Sequence, residues 1–144
     1  MSDTMQFSPL DIEQLAHMDR QRAFVSQLVA THLPNRRITG TKEDFAVLQA
    51  IVDSRLIDKD NTWKLQSLGI IFGDALITAI DGLAWWEMSD KWGTDPVLRY
   101  RTSTLQMGAM TMISKRVEDG RDVNVKQIAE WLAEFVHTKV NKFQ

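Results

Sequence analysis

One acid stands out as a candidate for chemistry, because Asp74 lies in an otherwise apolar helical segment. A half-buried carboxylate can have a shifted pKa and act as a general acid or base. The alternative is a structural ion pair that fixes this segment against later elements. One carboxylate without a convergent partner gives no mechanism, so the ion pair is the favoured interpretation. Its candidate cationic partners are Arg99, Arg101, Lys115 and Arg116.

Two adjacent tryptophans, Trp85 and Trp86, give the best indication of a recognition surface. Successive side chains of a strand point to opposite faces, so one enters the core and the other lies outside. The sequence does not say which. Aromatic residues and arginine are enriched at binding hot spots, and the candidates for such a surface are Trp86, Trp92, Arg99 and Tyr100. The favoured interpretation, however, is that helices from the N-terminal half cover this face.

Other site chemistries find no support in the residue pattern. His17 and His32 are about 22 Å apart along one predicted helix, so they cannot share a metal ion. His137 is the third histidine, and the chain has no cysteine. We therefore predict no metal site and no cofactor. Gly69 and Gly73 lie within a helix whose amides are already bonded, which favours close packing over phosphate binding.

Composition bounds the class of protein. The 144 residues contain 44% hydrophobic and 25% charged residues, typical of one folded domain spanning 1–144. The net charge of -2 argues against a nucleic-acid partner. No apolar run is long enough to cross a bilayer, and the N-terminus lacks the pattern of a signal peptide. We expect a cytoplasmic protein whose residues 1–7 are flexible.

The elements that position these residues predict an α+β fold. Helices are expected from Ser8-Pro9 to about Leu33, from Thr41 to about Leu56 and from Trp63 to about Asp81. A small antiparallel sheet of two to three strands should occupy about 83–107, with residues 89–96 as a turn. Two C-terminal helices follow. The second is capped by Asn124 and buries a stripe that includes Trp131 and Phe135.

Several motifs together resemble a known bacterial family. They are Leu68-Gly69-Ile70-Ile71-Phe72-Gly73-Asp74, Trp85, Asp95-Pro96, Leu98-Arg99-Tyr100 and the segment 112–118, MISKRVE. The chain resembles the domain of unknown function 3806 over a core of about 63–136. The resemblance implies no activity, substrate or cofactor. It implies that Gly69, Gly73, Asp74, Trp85, Asp95, Arg99, Tyr100, Lys115 and Arg116 occupy signature positions.

Two functional hypotheses follow. The favoured one is a non-enzymatic module that binds a protein partner or forms a homodimer through the exposed aromatic surface. The alternative is an enzyme or small-molecule binder with a site around Asp74, Arg99, Tyr100 and Lys115. The sequence leans away from an enzyme, because no catalytic set converges. Asp74, Lys115 and Arg116 are retained as candidates for an ion pair or a site.

Overall fold

A computed structural model describes residues 5–141 of the chain. The helices are α1 (Ile12–His32), α2 (Asp44–Asp53), α3 (Thr62–Ala79), α4 (Ala109–Glu118) and α5 (Val125–Asn141). The strands are β1 (Gln6–Ser8), β2 (Leu83–Asp90), β3 (Gly93–Tyr100) and β4 (Gln106–Met107). This arrangement confirms the predicted α+β class, with three helices before the central strands and two after them.

The sheet is antiparallel in the order β1-β2-β3-β4, so it has four strands where two to three were expected. The additional strand is β1, in which Phe7 is paired with Met88. Ser8 lies in this strand, so the prediction that Ser8-Pro9 opens the first helix was wrong. Asp11 caps α1 instead, since its side chain accepts a hydrogen bond from the Gln14 amide at 2.7 Å.

Residues 1–7 were predicted to be flexible, and the structure describes only the end of this segment. Residues 1–4 lie outside the described residues. Gln6 and Phe7 belong to β1 and pair with β2.

The β2–β3 hairpin is longer than the sequence indicated. The expected turn over 89–96 shrinks to Lys91 and Trp92, with Asp90 paired to Gly93. Pro96 therefore lies within β3, opposite Glu87. The strand β4 pairs only with Leu98 and Arg99. Beyond that point β3 has an unpaired side, which is where a strand tolerates proline.

The α3 helix is the centre of the fold, as its almost continuous apolar surface predicted. Its buried residues include Leu68, Phe72 and Leu76. Gly69 and Gly73 allow close packing, as expected, but each is packed against a different group. A methyl group on Gly69 would lie 2.6 Å from the Met110 Cα, because the start of α4 crosses α3 there. A methyl group on Gly73 would collide with the Trp85 indole.

The terminal helix α5 begins as predicted, because the Asn124 side chain accepts a hydrogen bond from the Gln127 amide at 3.0 Å. Its buried stripe is narrower than expected. Ile128, Leu132 and Val136 are buried, whereas Trp131 is 61% exposed. The prediction that Trp131 is a core residue was wrong, since it lies on the flank of the stripe.

Candidate functional site

The two faces of the sheet differ in what they contact. The inner face carries Leu83, Trp85 and Leu98, which contribute to the hydrophobic core. Strand alternation places the following residues on the opposite side, here called the outer face: Phe7, Ala84, Trp86, Met88, Asp95, Val97, Arg99 and Gln106. Of these, only Val97 is buried, so the outer face retains access to solvent. Trp85 is therefore the inner tryptophan and Trp86 the outer one.

The centre of the outer face is a stack of an arginine between two aromatic rings. The Arg99 guanidinium carbon lies 4.1 Å from the centroid of Phe7 and 4.6 Å from that of Trp86. Both distances fall within the range of cation–π attraction. The guanidinium is also fixed by two hydrogen bonds of 2.7 Å, from Nε to the Ser103 carbonyl and from Nη2 to the Thr102 carbonyl. Arg99 is thus held in one orientation.

The other two residues predicted for this surface lie elsewhere. Trp92 lies at the tip of the hairpin and is 83% exposed. It is about 13 Å or more along the strand from the Trp86 position, at 3.3 Å per residue. Tyr100 lies on the inner face, against Gly82, whose φ of +93° gives the left-handed residue expected after α3. Its hydroxyl accepts a hydrogen bond from Arg101 Nε at 3.0 Å.

Asp74 lies in an ion pair, although the partner is not one of the predicted cations. Arg22 of α1 donates to it twice, from Nε to Oδ2 at 2.7 Å and from Nη2 to Oδ1 at 2.9 Å. The Trp85 indole donates to Oδ1 at 2.9 Å. A carboxylate on α3 therefore ties together α1 and β2. The predicted partners were wrong because Arg99 points to the outer face and Arg101 pairs with Asp81 instead.

The hydrogen bonding of Arg22 to the Asp74 carboxylate is the main cause that raises the pKa of Arg22; burial lowers this pKa, and the Coulomb attraction of Asp74 raises it further. Because the pKa of Arg22 is raised, the positive charge of Arg22 contributes its full stabilisation below the ordinary arginine pKa and loses it only as the pH rises through the raised pKa. Arg22 is therefore charged at physiological pH, and the geometry of its contacts with Asp74 is that of a structural ion pair.

The four residues of the small-molecule alternative are not brought together. Arg99 and Asp74 lie on opposite sides of the sheet, and Lys115 is exposed on α4. Within residues 5–141, no cluster of three or more histidine, cysteine, aspartate or glutamate residues could hold a metal ion.

Arg116 borders a cavity that the sequence did not indicate. It measures about 410 Å³ and is here called the α4–α5 cavity; its lining consists of Arg116, Asp122, Asn124, Gln127, Ile128 and Trp131. Nη1 of Arg116 donates to the Met112 carbonyl at 2.8 Å, which holds the guanidinium beside α4. The Trp131 ring stacks on Phe135 at 5.6 Å with an interplanar angle of 15°.

A second cavity is a mainly apolar groove of about 760 Å³ between α2, the end of α3 and α5. Phe45, Leu76 and Ala129 lie in its wall, and Lys42 and Glu130 are among its charged residues. Gln49 also lines the groove. Its side chain donates a hydrogen bond to the Val123 carbonyl and accepts one from the Val125 backbone N–H.

Three residues of these sites were missed from the sequence. Phe7 lies in a strand too short to produce a periodic pattern, and Arg22 lies 52 positions from its partner. The position of Trp131 in the helical pattern could have predicted its exposure. It lies one position off the Ile128–Leu132–Val136 stripe, where a helical residue is on the border between core and solvent.

The fold is α+β, and the candidate surface is the outer face of its sheet. The family described as domain of unknown function (DUF3806) matches residues 44–128, more than half of the chain, so this chain belongs to that family. The match begins at α2 and omits β1 and α1. Phe7 and Arg22 therefore lie outside the matched region, while their contacts Arg99 and Asp74 lie within it.

A solved structure shares the fold. The chain is similar to a protein of Bacteroides thetaiotaomicron VPI-5482 known from its crystal structure, with a TM-score of 0.78 and 20% sequence identity. The superposition covers 88% of this chain and 46% of that one, so this chain spans less than half of its neighbour. No curated protein matches the sequence. Within residues 5–141, no helix has the length and apolar character needed to cross a membrane.

Proposed function

We propose that this protein is a non-enzymatic protein-binding module of the bacterial cytoplasm, and that the outer face of the sheet is its contact surface. The observation that carries the proposal is the Arg99 guanidinium held between Phe7 and Trp86 on a solvent-accessible face. Tryptophan and arginine are the residues that most often dominate the energy of a protein interface.

The stack is prepared for binding before a partner arrives. Interfaces lose affinity when they must immobilise long side chains on association. Arg99 is already fixed by two rings and two carbonyl oxygens, so little additional order is required. Its Nη1 has no hydrogen-bond partner among residues 5–141, and it is available to a carbonyl or carboxylate of the partner.

The best test places a photo-cross-linking amino acid on the outer face at a residue that is not itself part of the stack. Ala84 is exposed and lies opposite Arg99 in the register. Ser26, exposed on α1, provides the matched control position. We expect a discrete cross-linked protein from position 84 and none from position 26, in cells of the source organism. Mass spectrometry of the product separates a heterologous partner from a second copy of this chain.

Variants of the stack show whether the cross-linked product depends on Trp86 and Arg99. Trp86→Ala should abolish the product from position 84, whereas Trp131→Ala on α5 should leave it unchanged. Circular dichroism and thermal unfolding are used to check that the Trp86→Ala protein is folded, and Arg99→Lys tests the same stack more conservatively. Equal products from both positions, or a product insensitive to Trp86→Ala and Arg99→Lys, would contradict the proposal.

A further inference from the structure

We propose that the α4–α5 cavity is a binding site for a neutral saccharide, with Trp131 as the platform on which a sugar ring stacks. This site is separate from the outer face of the sheet and does not depend on the proposed function. Two independent observations converge here, an exposed aromatic ring and a set of planar polar side chains around one cavity.

The Trp131 ring is available on one side. Phe135 lies one turn later on α5 and stacks nearly parallel to it, which covers one face of the indole. The cavity residues Asn124, Gln127 and Ile128 all precede Trp131 along the chain, whereas Phe135 follows it by one helical turn. The ring is held by its neighbour while it remains 61% exposed. A rigid aromatic face of this kind suits the apolar C–H face of a pyranose.

The polar lining matches the alternating donors and acceptors of sugar hydroxyl groups. Arg116 supplies N–H donors, Asp122 supplies acceptor oxygens, and Gln127 supplies both. The Asn124 Oδ1 is used as the cap of α5, which leaves its amide group as a donor. Among the described residues, Arg116 and Asp122 form no ion pair with each other, so both can meet a ligand. A few fixed polar groups beside an apolar wall are typical of small-molecule sites.

Charge and size favour a neutral sugar over a nucleotide. One arginine and one aspartate give the lining no net charge. Asp122 also precedes the start of α5, where its carboxylate would repel a phosphate attracted to the helix end. The volume of about 410 Å³ lies within the range of ligand pockets and accommodates one or two sugar rings.

The site is arranged to bind and not to cleave. Hydrolysis of a glycosidic bond ordinarily requires a pair of carboxyl groups, one as acid and one as base or nucleophile. The lining contains one, Asp122. The expected event is therefore recognition of a carbohydrate surface or a released oligosaccharide.

Saturation-transfer difference NMR with the full chain tests this inference, because it detects the weak affinities expected of a shallow site. The probes are cellobiose, maltose and N,N′-diacetylchitobiose, with AMP as the anionic aromatic comparison. The variants are Trp131→Ala, Gln127→Ala and the matched control Trp92→Ala. Trp92 is also highly exposed, but it lines neither the α4–α5 cavity nor the groove between α2, α3 and α5.

We expect saturation transfer to at least one disaccharide in the wild type and in Trp92→Ala. The signal should be lost in Trp131→Ala and weakened in Gln127→Ala. The Gln127 side chain is exposed and has no hydrogen-bond partner in the described part of the chain, so this variant remains informative if Trp131→Ala misfolds. No transfer to any disaccharide, binding of AMP alone, or full binding by both site variants would overturn the assignment.

Discussion

The close crossing of α3 and α4 makes Gly69→Ala a sharp test of the fold, because two physical effects predict opposite signs. Alanine stabilises a helix interior by about 1 kcal/mol relative to glycine. Packing opposes this gain. The added Cβ would lie 2.6 Å from the Met110 Cα and closer still to its carbonyl.

The magnitude follows from what would have to move. An ordinary contact begins at 3.4 Å, so the Met110 backbone must retreat by roughly 0.8 Å or more. The colliding atoms are backbone atoms of α4, which cannot rotate aside as a flexible side chain would. Overpacking of a core costs about 1–3 kcal/mol, and this site belongs at the upper end. After the helix-propensity gain, we expect a net loss of about 2 kcal/mol and a melting temperature several degrees lower.

Urea denaturation followed by circular dichroism measures the free energy of unfolding directly. Gly108→Ala is the matched control. It has a φ of −85°, and its added Cβ would meet only the Thr111 hydroxyl at 3.9 Å. We expect it to change the free energy by no more than about 1 kcal/mol, the scale of a helix cap. A Gly69→Ala protein as stable as the wild type would refute the crossing of α3 and α4 at this glycine.

Two further predictions concern α1. Arg22→Gln should lower the free energy of unfolding by about 1–2 kcal/mol, because it removes two hydrogen bonds to Asp74 from a pair that still reaches solvent. The control Arg20→Gln, on the exposed side of α1, should change this free energy little. Equal losses in both variants would contradict the prediction. Gln21 is 1% exposed, and its amide nitrogen and oxygen have no hydrogen-bond partner among the described residues. Gln21→Met should therefore raise the free energy of unfolding by about 1 kcal/mol, and a loss in the same urea titration would show that the amide is satisfied.

The local elements were accessible from the sequence because they depend on near neighbours. The apolar periodicity of α3 and the Asn124 cap of α5 each involve residues within a few positions. Gly69 and Gly73 could be recognised as packing residues, since their cost in a helix requires compensation. The groups that pack against these glycines could not be predicted, because the Met110 backbone and the Trp85 ring belong to elements later in the chain.

The candidate surface was predicted in part for the same reason. Adjacency of Trp85 and Trp86 required them to take opposite faces, but the sequence did not say which of them faces out; Trp86 and Arg99 were candidates for the surface. The third member of the stack, Phe7, was hidden in a three-residue strand. Tyr100 was assigned to the wrong face because the register, not the composition, determines which residues share a face.

The sequence by itself determined the α+β class and the central position of α3. These properties follow from periodicity, capping and alternation, which act over a few residues. Only the tertiary structure decided the partner of Asp74, the outward direction of Trp86 and the cavity beside Trp131. Each of these depends on contacts between distant segments, such as the 52 positions from Arg22 to Asp74, and no local pattern encodes them.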